Sequence, residues 1–217
     1  MTENIIKIRP FRWFVRLKQS RGHGIHSPFA FNLITNVINS PYSYYAFIDI
    51  PAKLNNSGRK ITKLHSKSKS EFNHLSFRLV NHFKPESVLE INPGDGVNTY
   101  YITSPYSEIV YKGVECVDLQ ESLKTPEEGS LSEMSDKYDA IFINLNRHSN
   151  CLPSIEILYR ISKQNTFWVI NDINTKKNKQ FWNNVVKNES VNISFDVKNK
   201  TGIAFMQSSY YKLHYFI

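Results

Sequence analysis

Residues 87–99 read Ser-Val-Leu-Glu-Ile-Asn-Pro-Gly-Asp-Gly-Val-Asn-Thr, and this stretch decides the fold. A short run of Val, Leu and Ile that ends in turn residues predicts a buried strand over 87–91. Gly94 and Gly96 then allow backbone conformations that are closed to other residues, and they let a ligand approach the main chain. A glycine turn from a strand into a helix is where open α/β sheets bind nucleotides or nucleosides. Taken alone, the pattern also fits an ordinary strand-to-helix turn.

Strand and helix patterns alternate on the C-terminal side of this turn. Strands are predicted at 87–91, 108–115, 138–144 and 166–171, and helices from about 97, at 152–163 and at 175–188. Two closing strands, 191–197 and 202–206, are joined by a short hairpin connection, and 210–217 extends the sheet edge or tucks under a helix. Such alternation predicts a Rossmann-like, doubly wound and mostly parallel sheet with an antiparallel C-terminal hairpin.

The N-terminal part has a different pattern, so we divide the chain into a helical extension with a polar linker or lid, 1–70, and an α/β domain, 71–217. Ser27 and Pro28 are the N-cap and first residue of a predicted helix that ends near Asn39. The pattern of residues 4–20 predicts a basic amphipathic helix. Such a helix could lie on a membrane surface or pack on the rest of the protein. Residues 51–70 are the most polar stretch, which favours a mobile segment or lid.

The composition is typical of a globular protein, since 41% of the 217 residues are hydrophobic and 21% are charged. The formal net charge of +8 favours anionic partners. Nucleic acid is possible but not favoured, because no recognition module accompanies the charge. No apolar run is long enough to cross a bilayer, and the N-terminus lacks the features of a signal peptide, so we expect a cytoplasmic protein. We expect Cys116 and Cys151 to be small buried hydrophobic residues.

Polar residues follow three of the predicted strands. Glu115 follows the second strand, 21 residues after Gly94, where an acidic side chain can accept hydrogen bonds from a ribose. Asn144 ends the strand at 138–144, and Asp172 follows the strand at 166–171. Because the carboxyl ends of parallel strands lie on one edge of a sheet, these groups are predicted to meet beside the glycine turn.

Residues 90–96, Glu-Ile-Asn-Pro-Gly-Asp-Gly, resemble the E/D-x-G-x-G-x-G turn of class I S-adenosylmethionine-dependent methyltransferases. The segments 23–29 (HGIHSPF), 77–85, 139–144 and 202–205 are similar to a group of methyltransferase-like proteins of the Bacteroidetes. The resemblance implies S-adenosylmethionine as the cofactor. The cofactor-binding residues that it implies are Glu90, Asn92, Gly94, Gly96, Glu115 and Asn144.

The chain departs from that family at three places. Asn92 stands where the first glycine of the turn is usual, and only 23 residues separate Glu115 from Tyr138, which is short for a complete helix–strand–helix unit. Asn144 replaces the Asp that related metal-dependent O-methyltransferases carry. One carboxylate with two amides is a weak site for a hard cation, so no metal is predicted.

These observations predict S-adenosylmethionine-dependent methyl transfer to an unidentified acceptor, with a small molecule favoured. Asp172 is the first candidate for a base or orienting group, followed by His148 and His26, although a structural role is as well supported for each. The alternative is a catalytically inactive protein of the same fold that acts as a ligand-binding or interaction module. Asn92, Asn144 and the short 116–137 segment favour that alternative.

Overall fold

A seven-stranded sheet forms the centre of the computed structural model, which describes residues 9–56, 67–122, 137–145, 151–206 and 211–217. The strands are β1 (Ser87–Ile91), β2 (Val110–Val114), β3 (Tyr138–Asn144), β4 (Ser162–Asn171), β5 (Ile193–Val197), β6 (Thr201–Phe205) and β7 (Leu213–Phe216). Their spatial order is β2-β1-β3-β4-β6-β5-β7. The strand pattern of the sequence therefore corresponds closely to the folded sheet.

The sheet is mostly parallel. β2, β1, β3 and β4 pair in parallel, β6 lies antiparallel between β4 and β5, and β7 pairs in parallel with β5. The predicted Rossmann-like sheet with an antiparallel hairpin is confirmed. The chain runs from β1 outward to β2 and then returns to β3 on the other side of β1, which makes the gap between β1 and β3 a topological switch point.

Helices cover both faces of the sheet. They are α1 (Arg9–Gln19), α2 (Pro28–Asn32), α3 (Ala46–Asn56), α4 (Lys67–Phe83), α5 (Val97–Thr103), α6 (Cys116–Ser122), α7 (Ile155–Arg160) and α8 (Lys176–Lys187). Successive strand residues point to opposite faces. Ala140 and Phe142 of β3 therefore pack with α2, α4 and α5, whereas Ile141 and Ile143 pack with α6, α7 and α8.

The N-terminal helices share the hydrophobic core of the sheet. Ser27 Oγ accepts a hydrogen bond from the Ala30 backbone N at 3.3 Å, so the predicted helix start is confirmed. The second half of that helix, Leu33–Ile38, is π-helical. Residues from both halves are buried in the core, namely Ala30, Leu33, Ile34, Val37 and Ile38. These described residues of the N-terminal segment therefore share the core of the sheet.

The polar segment predicted at 51–70 is helical at both ends. Helix α3 runs through Pro51, and it buries Ile50 and Leu54 against Phe77 of α4 and Tyr101 of α5. This packing overrides the poor fit of proline in a helix. Helix α4 already begins at Lys67, and residues 57–66 lie outside the described residues. The proposed role of this segment as a lid stays a prediction.

The two cysteines were expected to be unpaired hydrophobic residues, and this was wrong. A disulfide joins Cys116 to Cys151, whose Cα atoms are 6.0 Å apart, a usual separation for a bridge. It ties the start of α6 to the segment before α7, two elements that only the folded sheet brings together. In the described parts of the chain, no helix combines the length and apolar character that crossing a membrane requires.

Candidate functional site

The glycine turn, residues 92–96, follows β1 at the switch point between β1 and β3. Asn92, Gly94 and Gly96 have positive φ angles of 56°, 61° and 71°. Asparagine is among the few non-glycine residues that adopt this left-handed conformation, so Asn92 is compatible with the backbone path of the turn. A Cβ atom on Gly94 would meet nothing closer than the Asn92 carbonyl oxygen, at 4.0 Å. The main chain at Gly94 is therefore open to a ligand.

Glu90 lies beneath the glycine turn and is fully buried. Its Oε1 accepts hydrogen bonds from the amides of Asn98 at 2.8 Å and Asn144 at 3.1 Å. Its Oε2 accepts hydrogen bonds from the hydroxyls of Thr99 at 2.7 Å and Tyr111 at 2.8 Å. These donors come from α5, β2 and β3, so the carboxylate joins the three elements around the turn. Glu90 therefore supports the turn from below, and its implied place beside the cofactor stays a prediction.

Asn92 connects the carboxyl ends of three adjacent strands. Its Nδ2 donates to the Asn144 carbonyl oxygen at 3.2 Å, and its Oδ1 accepts from the Cys116 backbone N at 2.8 Å. The second bond satisfies an N–H in the first turn of α6, which has no partner within that helix. The Asn92 side chain thus links the ends of β2 and β3 to the turn between them.

A cavity of about 120 Å³ opens above this turn, and we call it the glycine-turn cavity. Its lining residues are Phe72, Asn73, Asn92, Pro93, Gly94, Asp95, Val97, Asn98, Asn144 and Asn171. The volume is below the roughly 300–1,000 Å³ usual for small-molecule sites. Asn98 Oδ1 is buried and has no hydrogen-bond partner in the described structure. Since Asn98 Nδ2 is held by Glu90, Oδ1 is left as an acceptor for a ligand N–H.

The other predicted residues are not all brought to this cavity. Glu115 is exposed directly after β2. Asp172 follows β4 with a φ of 56°, and its carbonyl accepts from Asn178 Nδ2 at 2.8 Å. His148 lies outside the described residues.

His26 is exposed in the loop before α2. The neighbouring Phe29 packs on Phe83 and Phe205. Phe205 is the last residue of an antiparallel strand, so this packing lies at the amino edge of the parallel strands, opposite the glycine turn. The structure therefore does not bring His26 to the predicted site.

A second cavity, of about 350 Å³, lies beside the first at the same edge, and we call it the hairpin cavity. It is formed by α4 and by the turn between β5 and β6. Its lining residues are Ile38, Asn39, Ser40, Glu71, Phe72, His74, Leu75, Arg78, Val197, Lys198, Lys200 and Thr201. Phe72 lines both cavities.

His74 and Arg78 are site residues that the sequence reasoning missed. His74 stacks on Phe47 with the ring centroids 3.9 Å apart. Burial and the neighbouring Arg78 lower the pKa of His74, so its imidazole is neutral near pH 7 and can accept a proton. The signal that points to them is their spacing of four residues, which places both on one face of a helix. Sequence alone does not show that this face meets the hairpin.

A larger cavity of about 770 Å³ lies elsewhere, lined by Lys137, Ser162 and Met206 among others. These residues flank the amino ends of β3 and β4, so this cavity is on the opposite edge from the switch point, where open α/β sheets place their ligands. Among the described residues, no group of three or more His, Cys, Asp or Glu side chains is arranged to hold a metal ion.

Comparison with known proteins supports the fold. No family model matches the chain, and no curated protein sequence matches it. Among solved structures, it is similar to the S-adenosylhomocysteine-bound methyltransferase PaMTH1 of Podospora anserina, with a TM-score of 0.50, 9% identity, and coverage of 85% of this chain and 97% of that one.

Two further similar structures have slightly lower TM-scores. A putative caffeoyl-CoA O-methyltransferase from Staphylococcus aureus has a TM-score of 0.49 and 13% identity over 81% of this chain and 98% of that one. An O-methyltransferase from Bacillus cereus has a TM-score of 0.47 and 11% identity over 77% and 93%. At these identities the likeness concerns the fold.

Proposed function

We propose that the protein binds S-adenosylmethionine at the carboxyl edge of β1 and β3 and transfers its methyl group to a small-molecule acceptor. The observation that carries the proposal is the glycine turn itself. Asn92, Gly94 and Gly96 hold the left-handed path at the switch point, and the space above Gly94 is open. The methyltransferase fold of the similar structures adds support.

The residues present fit such a cofactor. The main chain at Gly94 is open to the cofactor. Asn98 Oδ1 lacks a hydrogen-bond donor, so it suits the amino group of the cofactor. The glycine-turn cavity holds only part of a nucleoside-sized molecule. The remainder would lie over the rim, toward the exposed Glu115, which is the predicted partner of the ribose.

The bound cofactor would supply an electrophilic methyl group on a positively charged sulfur. The chain's part is to position the acceptor and to favour positive charge, and positioning supplies much of the acceleration in such reactions. Glu90 is fully buried, and its hydrogen-bond donors among the described residues are all neutral. A buried carboxylate without a bonded cation favours positive charge above it. Asp172 and the neutral His74 are the candidate proton acceptors for an acceptor hydroxyl.

The second candidate function is ligand binding without catalysis. It is favoured by the small volume of the glycine-turn cavity and by the Asn92 side chain, which occupies space that a glycine leaves open. Both functions predict cofactor binding, and they differ only in turnover.

The test is calorimetric titration with S-adenosylmethionine and S-adenosylhomocysteine. Gly94→Leu should abolish binding because its side chain fills the open space above the turn. Gly24→Leu is the matched control, since Gly24 also has a positive φ, of 75°, and open surroundings, but lies in the loop before α2. Loss of binding in both variants, or in neither, would contradict the proposed site. Binding without methyl transfer to any tested acceptor favours the second function.

Glu115→Ala tests the ribose contact separately. We expect about tenfold weaker binding of S-adenosylhomocysteine, the effect of losing a hydrogen bond to a charged acceptor. Glu121→Ala, an exposed acid on α6, is the comparison variant. Equal affinity of both variants and the wild type would remove Glu115 from the site.

A further inference from the structure

The hairpin cavity carries an excess of positive charge. Arg78, Lys198 and Lys200 line it together with a single carboxylate, Glu71. Three cations and one carboxylate leave a net charge of +2, because burial and Arg78 keep the remaining titratable group, His74, neutral. Glu71 Oε1 lies 3.1 Å from Lys198 Nζ, and its Oε2 lies 3.7 Å from Lys200 Nζ, so the carboxylate is already engaged.

Among the described residues, no carboxylate forms a salt bridge with Arg78, whereas both lysines contact Glu71. Its Nη1 donates to the Ser40 carbonyl oxygen at 3.2 Å, whereas its Nε is buried and has no hydrogen-bond partner in the described structure. Burial lowers the pKa of Arg78, and the nearby Tyr44 offsets part of this effect. A buried guanidinium donor left unpaired is costly, and an oxyanion is the partner whose geometry it matches.

The backbone of the turn that carries Lys198 and Lys200 is fixed by hydrogen bonds to neighbouring segments. Lys198 and Asn199 adopt positive φ angles of 51° and 54°. The Lys198 backbone N donates to the Ile217 carbonyl at 2.6 Å, and the Lys200 carbonyl accepts from the Ile173 N at 3.0 Å. The turn is thus tied to the end of β7 and to the segment after β4, so the two lysines start from a fixed backbone, and both line the cavity together with Arg78.

We propose that the hairpin cavity binds the oxyanion group, carboxylate or phosphate, of a small molecule, with the Arg78 guanidinium as its main donor. The volume of about 350 Å³ lies in the range of small-molecule sites. The cavity shares Phe72 with the glycine-turn cavity, so the two ligands would be neighbours. Resting on the proposed function, the anion is therefore part of the methyl acceptor.

The experiment is calorimetric titration of the full chain with inorganic phosphate and, separately, with benzoate, at fixed ionic strength. The wild type should bind at least one of them, and the pair shows which oxyanion is preferred. Arg78→Gln should weaken this binding about tenfold or more, since a charge-assisted hydrogen bond is lost. Arg160→Gln, on α7 and away from the hairpin, is the matched control and should bind as the wild type does.

Lys200→Gln is a second variant that keeps the inference testable if Arg78→Gln does not fold. The Lys200 side chain is 41% exposed, so its loss is tolerated structurally, and a smaller loss of anion affinity is expected. Binding of neither anion to the wild type, or equal binding by the wild type, Arg78→Gln and Lys200→Gln, would overturn the inference. S-adenosylhomocysteine is titrated in parallel. If S-adenosylhomocysteine does not bind, the proposed function is contradicted. The anion site is still tested, because the anion titration does not require S-adenosylhomocysteine.

Discussion

The glycine-turn cavity and the hairpin cavity lie side by side at one edge of the sheet, yet their linings are electrically opposite. Five asparagines line the first, and the buried carboxylate of Glu90 lies beneath it. Three cations line the second, and the one carboxylate among its described lining residues is already paired with two lysines. Phe72 forms the wall between them.

If both proposed sites bind their ligands, this difference in charge explains how a single sheet edge would select two of them. Neutral amides above a buried carboxylate favour a ligand with positive charge and several hydrogen-bonding groups. A cluster of cations around an unpaired guanidinium favours an anion. Because both cavities are partly shielded from water, these preferences are stronger than they would be at an open surface.

Removing the carboxylate beneath the glycine-turn cavity should have the largest effect. Glu90→Ala leaves four donors without their acceptor, so we expect the free energy of unfolding to fall by about 3–5 kcal/mol. Urea-induced unfolding measures the loss. Glu86→Ala, an exposed acid just before β1, is the control and should change stability by less than about 0.5 kcal/mol. Similar losses in both variants would show that the buried network contributes little.

Removing a single donor should have an intermediate effect. Tyr111→Phe deletes one hydrogen bond to Glu90 Oε2, and we expect a loss of about 1.5–3 kcal/mol, the usual range for a bond to a charged group. Tyr100→Phe is the matched control, because Tyr100 is 44% exposed on α5. Phosphate binding at the hairpin cavity should stay unchanged in both. A change there would mean that the two cavities are coupled.

Placing a glycine at position 92, as in the methyltransferase turn that the sequence resembles, should change the glycine-turn cavity with a smaller cost. Asn92→Gly removes two hydrogen bonds but relieves a left-handed asparagine, so we expect a net loss of about 1 kcal/mol. The cavity gains space, and S-adenosylhomocysteine should bind more tightly. Asn199→Gly is the control, since Asn199 also has a positive φ but is exposed on the hairpin. Weaker ligand binding by Asn92→Gly would show that the Asn92 side chain itself contacts the ligand.

The smallest effect concerns His74 beside the hairpin cavity. Its pKa in the folded protein is lowered, so the unfolded chain takes up a proton first as the pH falls below about 6.5. The stability from the neutral imidazole is therefore complete above that pH and is lost on acidification, with a slope of at most about 1.4 kcal/mol per pH unit. His74→Gln should flatten the plot of unfolding free energy against pH.

Burial lowers the pKa of His82 as well, so this residue also makes the folded protein less stable as the pH falls. The double variant His74→Gln/His82→Gln should therefore have the flattest profile between about pH 6.5 and pH 5. An unchanged slope in both variants would show that the two imidazoles are not desolvated in the folded protein.

Much of the fold could be predicted because its signals are local. The run of Val, Leu and Ile before Gly94, the alternation of strands and helices, and Ser27 with Pro28 at a helix start each depend on neighbouring residues. The helix through Pro51 could not be predicted in this way, because its stability comes from Ile50 and Leu54 packing on Phe77 and Tyr101. The Cys116–Cys151 bridge depends likewise on two segments that meet only after the sheet has formed.

The candidate site likewise has features that the sequence predicts and features that only the fold determines. The sequence by itself determined that a glycine turn follows a buried strand at 92–96, since strand, turn and helix propensities act over a few residues. Only the tertiary structure decided that Glu90 accepts hydrogen bonds from residues 98, 99, 111 and 144. It also decided that Arg78 and the turn at 198–200 line the same cavity. Those contacts depend on strand order and register, which no local pattern encodes. The turn was therefore predictable, whereas the electrical character of the two cavities beside it follows from the fold.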